Sequence, residues 1–173
     1  MEKHFALALT PDDGYVTWVQ RLELWRNDPG AYAGTSETQV RVALLATYTI
    51  DFLAELLPMA GARVGLAVDL LKFPFGQIEQ VLLNPPHSLE DVDYVVLTGT
   101  HHDVADSAEE TVRRWTRLWD AASGSGIRVV QLGFAPPAVD GYGAAAWRTS
   151  RSRSGLVRQV NEQLVPRPER SLR

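Results

Sequence analysis

The sequence predicts an α/β fold: a three-layer sandwich around a mainly parallel sheet of about four strands, plus an N-terminal helical arm. Three observations carry this. Between residues 41 and 132, short apolar runs of strand character alternate with segments of helical period. The strand candidates are continuous rather than alternating, Val42-Ala43-Leu44-Leu45 above all, which is the pattern of a strand buried on both faces of a parallel sheet. And 173 residues with 45% hydrophobic and 22% charged side chains suffice for one ordinary core.

The elements follow in order. Thr10-Pro11-Asp12-Asp13 reads as a helix start, with Thr10 as N-cap, Pro11 at the first helical position and acids in the first turn. Tyr15, Trp18, Leu22 and Trp25 then recur at three- and four-residue spacing and give one apolar stripe, expected to pack. Asn27-Asp28-Pro29-Gly30 ends that helix, and residues 31–39 read as a linker. Strands are expected at Arg41 to Ala46, Leu66 to Leu71, Tyr94 to Leu97 and Ile127 to Leu132. Helices are expected at 50–60, Gly76 to Leu83, 106–122 and around 152–164. The alternation implies βαβ units with right-handed crossovers. This divides the chain into an arm and linker at 1–40, an α/β domain at 41–165 and a tail at 166–173, where Pro166 and Pro168 stop the last helix.

Composition removes several classes. The absence of cysteine excludes disulfide scaffolds, thiolate zinc sites and cysteine nucleophiles. A net charge of −4 argues against a general nucleic-acid binder. No uncharged apolar stretch approaches the ~18 residues that cross a bilayer, and the first ten residues are too short in apolar run for a secretory signal, so no membrane association and a cytoplasmic location are expected. The charge is uneven. Residues 1–139 carry 10 basic against 18 acidic side chains, whereas 140–173 carry 7 arginines against 3 acids. An acidic body with an arginine-rich end is suited to an acidic partner or is a solvated terminal helix.

In an open parallel sheet, ligands bind beyond the carboxyl ends of the strands. After the first strand stand Thr47, Tyr48 and Thr49. A hydroxyl there serves as nucleophile, its backbone as an anion site, or Thr49 simply caps the helix. After the third strand come Gly99-Thr100-His101-His102-Asp103. Gly99 permits a tight turn, and the histidines could act as base or polarise a substrate oxygen. The plainer reading is a polar loop with Asp103 capping the next helix. No metal is expected, because adjacent histidines without further ligands make a poor site. After the fourth strand, Phe134-Ala135-Pro136-Pro137 forms a rigid wall. The candidate pocket is thus Thr47, Tyr48, Gly99, Thr100, Asp103 and Phe134, with Thr49, His101 and His102 as reactive groups. Asp91-Val92-Asp93 has the spacing of a magnesium-dependent phosphoryl-transfer pair, but it precedes the third strand and so falls at the wrong end of the sheet. Nucleotide-binding glycine motifs are absent.

Three runs resemble one family. Arg41-Val-Ala-Leu-Leu-Ala-Thr-Tyr-Thr49-Ile-Asp-Phe-Leu53, Lys72-Phe-Pro-Phe-Gly76-Gln-Ile-Glu-Gln80 with Leu83-Asn84-Pro85, and Asp93-Tyr-Val-Val-Leu97 resemble the N-terminal domain of FkbH-like proteins, HAD superfamily subfamily IIIC. Phe134 to Pro137, and Asn161 before Leu164, fit its closing portion. The likeness spans about 41–165 and is most specific at Phe75-Gly76-Gln77 with Gln80. It implies a flavodoxin-like, SGNH-hydrolase-like sandwich. In that family a HAD domain carries the catalytic aspartates and loads a glyceryl unit onto an acyl carrier protein for polyketide-type biosynthesis.

The departures shape the expectation. Where SGNH hydrolases carry Gly-Asp-Ser this chain has Ala46-Thr47-Tyr48-Thr49, and Gly99 to Asp103 replaces Gly-x-Asn-Asp. No histidine follows His102, so the late Asp-x-x-His is missing. The resemblance therefore implies an accessory, partner-binding domain that needs no cofactor. Its expected partner is an acyl carrier protein or a HAD-domain protein, met by Arg148, Arg151, Arg153 and Arg158. The alternative is a divergent esterase or acyltransferase using Thr49 with His101 or His102, and a third reading is a phosphate-ester or glyceryl pocket without turnover.

Overall fold

The computed structural model describes residues 10, 12–28 and 38–165. Residues 1–9, Pro11, residues 29–37 (most of the linker expected at 31–39) and the tail at 166–173 lie outside the described residues. Four strands, β1 (Thr38–Ala46), β2 (Leu66–Lys72), β3 (Tyr94–Thr98) and β4 (Arg128–Gln131), form one sheet in the order β2-β1-β3-β4. Every pairing is parallel. This is the order of a flavodoxin-like doubly wound sheet up to its fourth strand. The helices are α1 (Tyr15–Asn27), α2 (Asp51–Arg63), α3 (Ile78–Leu83), α4 (Ala108–Gly124) and α5 (Arg153–Leu164).

The central strand explains the sequence pattern. Val42, Ala43, Leu44, Leu45 and Ala46 are all buried, with alternate residues facing opposite layers. Ala43 and Leu45 join Val95 and Leu97 against α3, α4 and α5, in a core that includes Trp115, Leu118, Phe134, Val157 and Val160. Val42, Leu44 and Ala46 join Val96 against Leu53, Ala54 and Leu57 of α2. The aromatic stripe of α1 packs as expected: Leu22, Trp18 and Trp25 sit against Met59, Phe52 and Leu56 on the outer side of α2. Close approach of α2 to β2 depends on Gly61, because a Cβ there would overlap Val68 and meet the Leu66 carbonyl at 3.2 Å.

Two expected helix starts are corrected. The Thr10 amide is held by the Asp13 carboxylate, and Asp13 N–H returns to Thr10 O at 3.1 Å, so this segment closes a turn. A short polar side chain that bonds nearby backbone competes with helix. The helix begins later, with Gly14 as its N-cap. Thr49 does not cap α2. Ile50 holds that position, with its side chain buried in the apolar cluster and its carbonyl accepting from Ala54 N–H at 2.9 Å. β1 also starts at Thr38, earlier than the hydrophobic run, because polar Thr38 and Gln39 pair with Leu66 and Ala67. Among the described residues no helix is long and apolar enough to cross a membrane.

Candidate functional site

The carboxyl ends of β1 and β3 lie side by side, with Ala46 opposite Thr98. Thr47 extends the ladder through its N–H to Thr98 O at 3.3 Å, which aims its hydroxyl at the loop leaving β3. That loop turns tightly. Thr100 pairs with Ala135 in an isolated bridge, and His101 N–H donates to Ala135 O at 3.1 Å. His101–Asp103 form a single 3-10 turn closed by a reciprocal cap: the Thr100 side chain accepts from His102 N–H, and the Asp103 carboxylate accepts from Thr100 N–H at 2.7 Å.

The same carboxylate oxygen of Asp103 accepts from the Thr47 hydroxyl at 2.6 Å. Asp103 therefore fastens the two strand-end loops together. It does not cap α4, whose N-cap is Ser107, accepting from Glu110 N–H at 3.3 Å. Gly99 is required beneath this joint, since a Cβ would stand 2.9 Å from the Phe134 ring and 3.0 Å from the Asp103 carboxylate. Phe134 is buried edge-on to Trp115, ring centroids 5.0 Å apart. Its backbone is gripped at both groups by Asn161 of α5: Phe134 N–H donates to Oδ1 at 2.8 Å, and Nδ2 donates to Phe134 O at 3.0 Å. On the other side, the hydroxyls of Tyr48 and Thr98 lie 2.8 Å apart.

Of the residues singled out from sequence, Thr47, Tyr48, Gly99, Thr100, Asp103 and Phe134 thus converge on one place. Thr49 is exposed, and its hydroxyl makes no hydrogen bond with any described residue, His101 and His102 included. The two imidazoles lie against each other, centroids 4.0 Å apart, with His102 the more exposed. Burial, then the neighbouring His102 and Arg153, lower the pKa of His101 from its usual value, against the Ala135 backbone bond and Asp103, which raise it. The arginines divide. Arg153 turns inward, donating to Val104 O at 2.6 Å and facing Asp106 at 3.6 Å; Arg158 pairs with Glu162 at 2.9 Å on the same helix. Arg148 and Arg151 are exposed without an ion pair among the described residues.

Two features escaped the sequence reading. A small cavity of about 70 Å³ opens beside Thr47 and Gly76, walled by Arg114 and Glu79, which pair at 2.5 Å. Next to it a cleft of about 530 Å³ between α3 and α4 is lined by His102, Asp103, Arg113, Arg114 and Arg117. The available signal was the arginine spacing on the side of α4 away from Trp115. Asp91 and Asp93 stand before β3, at the opposite end of the sheet. Asp93 accepts from Arg41 N–H at 2.8 Å, and Asp91 faces the Arg41 guanidinium at 3.7 Å.

Fold and strand ends together define a doubly wound α/β domain with a hydrogen-bonded polar cluster at the carboxyl edge. No family model and no curated protein matches the chain. Among solved structures it is similar to the N-terminal part of the protein BF1531 from Bacteroides fragilis, a crystal structure containing a phosphatase domain and complexed with Mg. The TM-score is 0.57 at 16% identity, over 76% of this chain. The chain spans only 40% of the length of that structure. A likeness at this identity establishes the α/β fold.

Proposed function

We propose that this chain is an SGNH-like accessory domain of an FkbH-type system, binding an acyl carrier protein or a HAD-domain protein rather than turning over an ester. The observation that carries the reading is the Thr47–Asp103 hydrogen bond. A Ser or Thr nucleophile acts through an adjacent base that a third group orients. Here the best-placed hydroxyl ends on a carboxylate that is already occupied by the Thr100 amide, and it serves to join two loops. The similarity to one part of a larger phosphatase-containing chain supports a domain that works beside another. Magnesium-assisted phosphoryl transfer does not suit the residues present: Asp91 and Asp93 are engaged by Arg41 at the edge away from the strand-end site.

Arg148 and Arg151 are the surface offered to an acidic partner, with Arg153 and Arg158 holding the helix behind them. Charge of this kind acts mainly on encounter rate and salt dependence. The test is calorimetric titration with apo, holo and glyceryl-loaded carrier protein at two salt concentrations. Salt-sensitive binding, weakened by the Arg148→Glu and Arg151→Glu double variant with the fold intact, is expected. Ester turnover abolished by Thr49→Ala would instead establish the divergent hydrolase or acyltransferase using Thr49 with His101 or His102.

A further inference from the structure

We propose that the cleft between α3 and α4 binds a small organic phosphate monoester, held by Arg113 and Arg117 of α4 and by His102 of the loop after β3. The cleft measures about 530 Å³, a volume usual for small-molecule sites. The proposal does not rest on the partner assigned above to Arg148 and Arg151.

The distribution of charge carries it. Residues 1–139 hold 10 basic against 18 acidic side chains, yet three of those basic residues stand at 113, 114 and 117 and line this one cleft. Elsewhere in the acidic body the cations are engaged. Arg26, Arg41 and Lys72 each hold a carboxylate, and Arg128 lies over the Tyr94 ring. Arg114 is likewise taken by Glu79. Arg113 and Arg117 are exposed, and their guanidinium groups form no hydrogen bond or ion pair with any described residue. They stand one turn apart on one helix face, where like charges repel. A bound anion relieves that repulsion. Three carboxylates also border the cleft. Glu79 is held by Arg114, and Asp103 accepts from the Thr47 hydroxyl and Thr100 N–H. Glu110 alone of the three has a side chain bonded to no described residue, so one carboxylate faces two guanidinium groups.

The donor set selects the head group. A carboxylate offers two oxygens and one charge, which a single guanidinium fork satisfies. A phosphate monoester offers three terminal oxygens and about two charges, enough for both arginines and for His102. The His102 imidazole keeps an N–H in either neutral tautomer, and its ring nitrogens bond no described residue. Leu83, Val104 and Leu118 supply an apolar wall for the organic part.

The experiment titrates the whole isotope-labelled chain with butyl phosphate, inorganic phosphate and butyrate at constant ionic strength, following arginine Nε–Hε and backbone resonances. Arg113→Gln and Arg117→Gln assign the two side chains, and circular dichroism checks that each variant is folded. Butyl phosphate is expected to give saturable shifts at Arg113 and Arg117. It should bind more tightly than inorganic phosphate, because the apolar wall takes its chain, and about tenfold or more tightly than butyrate. Each arginine variant should weaken butyl phosphate binding about tenfold. Glu110→Gln, which removes a competing charge, should tighten it about twofold. Absence of saturation overturns the proposal, as do shifts spread equally over arginines outside the cleft. So does butyrate or inorganic phosphate bound as tightly as butyl phosphate, or an affinity unmoved by the two arginine variants.

Discussion

On one side of the sheet, α3, α4 and α5 cover β1, β3 and β4 and bury Trp115, Leu118, Phe134, Val157 and Val160. On the other, α2 covers β1 and β2, with α1 stacked outside it, and over β4 the sheet shows Val130 and Leu132 to solvent. The same alternating backbone feeds both faces, so the difference lies in the helices. It separates the two faces. The covered face holds the fold together and supports the strand-end loops through Phe134. The half-covered face leaves Val130 and Leu132 exposed.

The sharpest way to break this contrast is on the covered face. Trp115→Ala removes a buried ring and the edge-on partner of Phe134, and is expected to cost about 3–5 kcal/mol in chemical denaturation. Asp103→Ala strips the acceptor shared by Thr47 and Thr100, and should cost about 1–3 kcal/mol. Amide exchange at Thr100 should rise with it. Ser152→Ala removes the buried N-cap of α5, whose hydroxyl accepts from Gly155 N–H at 2.9 Å, for about 1–2 kcal/mol by thermal melting. Val130→Ala, on the half-covered face, should shift stability by no more than about 0.5 kcal/mol. A large loss there would mean that this face is not free.

Acid should sharpen the contrast further. Backbone N–H bonds from Ser154 and Tyr142 lower the pKa of Asp140 from its usual value. Its contribution is therefore complete above the unfolded carboxylate range and disappears as pH falls through the lower folded value; Asp140→Asn should flatten that slope. His101, also lowered, acts in a separate window. Below the ordinary histidine range the unfolded chain takes up the proton first, so stability drops on mild acidification, and His101→Gln should remove that step.

The sheet was readable in the sequence because its signals are local. Val42 to Leu45 announce a strand with two buried faces, and Val112, Trp115, Leu118 and Trp119 announce the inner side of α4. The strand-end loops were readable as a place but not as a mechanism. Thr47 and Thr49 look alike in sequence, and the Thr47 contact depends on Asp103, which is 56 positions away. Asp103 was read as capping forward, whereas it bonds back to Thr100. Arg153 stood in sequence among other terminal arginines, and only the fold directs it to Val104. The cleft beside α4 joins residues from three elements, so the arginine spacing on α4 gives one wall of it and not the whole.

Asn161 closes the chain of dependence. By satisfying both backbone groups of Phe134, it makes the last helix a structural neighbour of Gly99 and, through it, of Asp103. A fragment or fusion boundary drawn at the end of β4 would keep all four described strands and lose the wall against which the β3 loop is set. For anyone dissecting this protein, the smallest unit with an intact strand-end site runs through Asn161.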